Sequence, residues 1–177
     1  MLSLYRASIP VFIRGFESLS AILVKGHAHA LSLGQDPSRL ITARLAPDML
    51  NLAGQVQRAR DTAKGCAARL AGIPVPRFED TESTFEEVQA RIGKTVDFLR
   101  GISAAQIDGS EQKPILLQRA TETNRFVGLE YLLHYCLPSF YFHVSIAYAI
   151  LRHAGVTIGK MDYLGALRAR STGDPDL

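Results

Sequence analysis

Gly128–Gly155, GLEYLLHYCLPSFYFHVSIAYAILRHAG, is the longest apolar run in this 177-residue chain. It holds four of the six tyrosines, Tyr131, Tyr135, Tyr141 and Tyr148, and three of the five histidines, His134, His143 and His153. Its length approaches the ~20 residues that cross a bilayer. Glu130, His134, Pro138 and His143 interrupt it, which favours a buried helix over a membrane span. At about 100° per residue, Cys136, Phe140, His143, Ala147 and Ile150 share one face, so His143 is expected to point inward. Pro138 removes a backbone hydrogen bond and crowds the preceding turn, which predicts a kink. Gly155 ends the helix.

A helix this apolar needs partners, and three amphipathic stripes upstream supply them. Tyr5, Ile9, Phe12, Phe16, Leu19 and Leu23 recur at steps of three and four, with Ser8 as the expected cap and Gly34 as the stop. Asp36-Pro37 opens a short helical turn. A second stripe begins near Ala46-Pro47-Asp48 and runs through Met49, Leu52, Val56, Ala59, Ala63, Cys66, Ala67 and Leu70 to Gly72. Its many alanines predict a close-packed neighbour. Thr84 and Glu87 form a capping box for the third stripe, Phe85, Val88, Ile92, Val96 (or Thr95) and Leu99, closed by Gly101. Residues 102–127 lose the helical period, and a two-stranded hairpin or an irregular crossover fits them equally. The expected fold is all-α: an antiparallel four-helix bundle in one domain, residues 1–165, with a polar, frayed tail at 166–177.

Composition narrows the partners. The net charge is +3, from 20 basic and 17 acidic residues without a block of like charge, so no nucleic-acid or anionic-membrane face is expected. Cys66 and Cys136 sit in apolar segments and read as buried free thiols. No secretory signal is evident, and a cytoplasmic location is expected. GxSxG, glycine-rich phosphate loops, CxxC and HExxH are all absent, which removes the common hydrolase, nucleotide, redox and zincin signatures. His27 and His29 are two residues apart and point to opposite sides of a helix. No two histidines have the i, i+3 or i, i+4 spacing with which one helix chelates a metal. Gln55, Gln57, Arg58, Asp61 and Lys64 read mostly as a solvated face.

Several strings resemble the DinB/YfiT-like superfamily of four-helix bundles, and more closely an uncharacterised bacterial branch of it. They are YRASIPVF (5–12), ARLAPDM (43–49), QVQRARDTAKG (55–65), FEDTESTF (78–85), HYCLPSFYFH (134–143), AYAILRHAG (147–155) and GKMDYLG (159–165). The resemblance implies a bundle in which many members hold a divalent metal with three histidines, one from the second helix and two from the fourth at i and i+4. His143 matches the last of these. Ser139 stands where its partner histidine belongs, and the second-helix position falls near Gln55. Serine and glutamine are poor substitutes for imidazole, so the implied metal site is degenerate and no cofactor is expected.

Two functions follow from the resemblance. One is a homodimeric, metal-free bundle that binds a small ligand in a pocket lined by the fourth helix, with His143, Ser139, Gln55 and Tyr135 as candidate ligand-binding residues. The other is a divalent-metal enzyme of the DinB type, a thiol-conjugating transferase, which would need another ligand set such as His134, His143 and Asp61. A third possibility leaves the aromatics as core and the surface as the working part.

Overall fold

In the computed structural model, residues 3–118 and 122–166 are described. Helix α1 (Leu4–Ser32) begins at Ser3, whose hydroxyl accepts from the Arg6 N–H at 3.3 Å. The cap is therefore five residues earlier than Ser8. Ser8 is buried inside the helix and donates to the Leu4 carbonyl one turn back, at 2.8 Å. Pro10 lies within α1 on its exposed side. By length and composition α1 could cross a membrane, yet Ile9, Phe12, Phe16, Leu19 and Leu23 all face the bundle core. Gly34 then turns the chain with φ +65, a left-handed conformation that suits a residue without Cβ.

Pro37 is the cap residue of the short α2 (Ser38–Ile41), and Asp36 just before it accepts from the Ser38 N–H at 2.9 Å. Helix α3 (Leu52–Ala71) starts later than Ala46-Pro47-Asp48 predicted. Asn51 is its cap, accepting from the Gly54 N–H at 2.9 Å, while residues 46–49 form turns. Asn51 is the residue whose side chain sits one step before the apolar period resumes at Leu52, and that position decides the cap. Gly72 ends α3 with φ 72. Helix α4 (Phe85–Arg100) carries the expected Thr84/Glu87 capping box and buries Phe85, Val88, Ile92, Val96 and Leu99. Its cap pulls the Glu87 carboxyl below the usual range through the Ser83 and Thr84 hydrogen bonds.

After the short α5 (Ala104–Ile107), strands β1 (Pro114–Gln118) and β2 (Thr123–Val127) pair antiparallel, Ile115 opposite Phe126. The hairpin is thus the correct one of the two alternatives, and Ile115 and Leu117 turn inward from it. The fourth helical run has three parts: α6 (Gly128–Glu130), a π-helical turn (Tyr131–Cys136) and α7 (Leu137–His153). The disturbance expected at Pro138 takes the form of this wider turn. Pro138 has no N–H for the His134 carbonyl, and widening the preceding turn makes room for its ring. Gly155, at φ 90, closes the run.

The four long helices contact one another in a ring, α1 with α4, α4 with α3, α3 with α7, and α7 with α1. This is the antiparallel bundle the stripes predict. Phe140 anchors α7 to α1, its ring edge-on to Phe12 and Phe16 at 5.0 and 5.1 Å. Ala59, Ala63 and Ala67 are fully buried on α3, so the neighbouring backbones come close there. A last short helix, α8 (Lys160–Leu164), covers α1, where Arg14 donates to the Leu164 carbonyl at 3.2 Å. Beyond Ala166, the expected frayed tail lies outside the described residues.

Candidate functional site

Gln55 sits in the first turn of α3 and is buried. Its amide Nε2 donates to the Leu50 carbonyl at 3.0 Å, in the turn that leads into the helix. That bond orients Oε1 toward His143 Nδ1, 2.8 Å away on α7. Since Oε1 can only accept, Nδ1 carries the proton, and Nε2 keeps its lone pair. His143 is half-buried. Burial, and then the charge of Arg58, push its pKa below the ordinary value, so the ring is neutral near pH 7. The side chain reaches the inside edge of the bundle and stops at the seam between α3 and α7.

Ser139 lies one turn before His143, and its hydroxyl is 3.3 Å from that of Thr62. Because α3 and α7 run antiparallel, the two contacts form successive rungs of one seam: Gln55 to His143, then Thr62 to Ser139. The structure thus brings Gln55, His143 and Ser139 to the same seam. Tyr135 joins a separate aromatic cluster, stacked on Tyr131 at 5.7 Å and tilted against Phe126 at 6.1 Å. Tyr131 is buried and accepts a hydrogen bond from Arg69 at 3.0 Å; burial pushes its phenol well above the usual range. Tyr141 and Tyr148 are half-buried, Tyr148 edge-on to Tyr163 of α8 at 5.8 Å. Cys66 and Cys136 are buried free thiols, as expected, and burial raises the Cys66 pKa further.

The residues do not fit the three-histidine metal site that the resemblance implies. One imidazole is present; its Nδ1 is taken by an amide, and Ser139 is paired with Thr62. The alternative set fails as well. His134 is exposed, and Asp61 is held by Arg60 and Lys64, both at 3.1 Å. Among the described residues no three of His, Cys, Asp or Glu converge on a point.

A polar cluster on α3 is absent from the sequence expectations. Arg60 is only 1% exposed, and Lys64 is buried too, which corrects its assignment to a solvated face. Arg60 pairs with Asp80 and Asp61, and its Nε and Nη1 have no hydrogen-bond partner among the described residues. Glu82, also buried, lies within ion-pair range of Arg60 and Arg91 and accepts from Gln57 at 2.8 Å. The signal was available in outline. Arg60 falls four residues after Val56 and three before Ala63, a stripe position, and the linker at 78–83 carries the carboxylates to meet it. Beside this cluster a cleft of about 740 Å³ opens between α3 and residues 75–79; His143, Ser139, Gln55 and Tyr135 do not line it.

The antiparallel four-helix bundle is that of a DinB-like domain. The chain belongs to the family described as Domain of unknown function (DUF1993), which matches residues 4–164. It is similar to a DinB family member protein from Shewanella denitrificans, known from a crystal structure, with 36% identity and a TM-score of 0.87 over 95% of each chain. No curated protein matches it.

Proposed function

We propose that this domain binds a small ligand at the α3–α7 seam without holding a metal there. The observation that carries the proposal is the 2.8 Å contact between His143 Nδ1 and Gln55 Oε1. It locks the imidazole in one neutral tautomer and directs the Nε2 lone pair away from Gln55. Such a group accepts a hydrogen bond from a hydroxyl, thiol or amide N–H of a ligand; ordered polar groups of this kind fix orientation in binding sites. The hydroxyls of Ser139 and Thr62, one rung along the seam, supply further polar contacts. Phe142, 56% exposed and edge-on to His143 at 5.2 Å, offers an apolar surface beside them.

A thermal-shift survey of small alcohols, thiols and amides tests this. The expected result is stabilisation by at least one class, lost in both His143→Ala and Gln55→Leu. Stabilisation that survives both substitutions, or none from any class, would refute the seam as the site. Stabilisation by zinc or nickel that requires His143 would instead favour a divalent-metal enzyme of the DinB type.

A further inference from the structure

The cleft beside α3 is independent of the His143 seam. Three cations line it, Lys64, Arg69 and Arg77. Lys64 is 4% exposed, and its ion-pair partner among the described residues, Asp61, is shared with the buried Arg60. Arg69 is paired with a phenol, that of Tyr131, which carries no charge. Arg77 is exposed and has no carboxylate partner among the described residues. Of the cleft's own carboxylates, Asp61 is already taken up, and Glu79 forms no ion pair among the described residues. Three cations against two carboxylates leave the lining a net charge of +1, in a concave site where a low-dielectric wall strengthens the field.

That wall is apolar. Val75, Pro76 and Phe78 form it, and the Phe78 ring has the ammonium groups of Lys64 and Lys94 each 4.5 Å from its centroid. Gly65 lines the floor. A Cβ there would come within 2.4 Å of Arg69 Nη1, so the missing side chain is what lets the guanidinium lie over the helix at the cleft. The volume of about 740 Å³ is within the range of small-molecule sites.

We propose that this cleft binds a small organic acid, its carboxylate held by Lys64, Arg69 and Arg77 and its apolar body laid against Val75 and Pro76. Arginine suits such a head group because its planar fork matches a carboxylate, while the buried lysine supplies a charge that water screens poorly.

Benzoate and its neutral counterpart benzamide test the assignment on the isotope-labelled full chain, with backbone amide shifts as the readout. Benzoate is expected to give saturable shifts at Gly65, Arg69 and Phe78, and benzamide none. Arg77→Gln, an exposed change that leaves the fold intact, should weaken benzoate about tenfold. Gly65→Ala, which displaces only the tip of Arg69, should weaken it as well. His143→Ala should leave benzoate binding unchanged, which separates this site from the seam. Equal shifts from benzamide, no saturable shift from benzoate, or undiminished affinity in Arg77→Gln would each overturn the proposal.

Discussion

Gln55 decides what His143 can do. With its amide fixed by the Leu50 carbonyl, Oε1 is the only partner offered to Nδ1, and the ring's tautomer follows. Gln55→Leu should therefore leave a half-buried donor unsatisfied and cost about 1–2 kcal/mol in urea denaturation. The sign of the pH effect follows from the lowered pKa. Unfolded, the imidazole takes up a proton below its ordinary value of 6.5; folded, burial and Arg58 delay that uptake. The unfolded state binds more protons in this window, so the stabilising contribution is complete above 6.5 and is lost as pH falls toward the folded value. His143→Asn should flatten the stability profile just below pH 6.5; an unchanged slope would count against the burial assigned to this ring. Glu82 is the second residue that tests the interior. It is 3% exposed on its side chain and faces Arg60 and Arg91, so Glu82→Leu should cost about 3 kcal/mol by leaving buried guanidinium charge less compensated. A change near zero would mean that Asp80 and Asp61 suffice for Arg60.

Among the elements, the ones with regular periods were legible. The α1, α3 and α4 stripes, the Thr84/Glu87 box and the stops at Gly34 and Gly72 all follow from spacing and from backbone preferences that need no tertiary context. Starts were harder, because several residues near each start can cap. Ser3 wins over Ser8 since α1 has enough apolar contact at Leu4 to begin earlier, and Asn51 wins because the turns at 46–49 lead away from the helix. The π-helical turn ahead of Pro138 was legible only as a disturbance, since its form depends on what the wider turn packs against. Tyr131 and Cys136, at its two ends, are both buried. The buried Arg60 was missed because a charged residue on a helix with several other basic residues reads as solvated until its carboxylates are brought to it. The close approaches are testable at this scale. A Cβ on Gly128 would stand 2.1 Å from the Ser110 carbonyl oxygen, a backbone atom that cannot swing aside, so Gly128→Ala should destabilise by about 3 kcal/mol. Thr84→Ala should cost about 1 kcal/mol through the lost cap of α4. Thermal or urea unfolding reads both, and equal effects would contradict the distinction between a backbone clash and a lost cap.

For the whole molecule, the bundle is the part most fully written in the sequence, since four stripes that must each bury one face have few ways to do so together. The site was legible as a list of residues and not as a set of contacts. Gln55, Ser139 and His143 do share a seam, yet Ser139 turns to Thr62, and Tyr135 stacks in another cluster. We infer a homodimer in solution, with the exposed Leu129 and Leu133 of the fourth helical run as apolar surface for a second copy to cover. Light scattering at micromolar concentration should give twice the 19.4 kDa chain mass, and a monomer mass would refute the pairing. An imidazole–amide pair occupies the seam where the family resemblance would place a three-histidine metal centre. Elemental analysis of protein purified without a histidine tag tests it most directly. Divalent metal is expected far below one ion per chain, with no difference between the native protein and His143→Ala. One ion per chain that disappears in His143→Ala would contradict it.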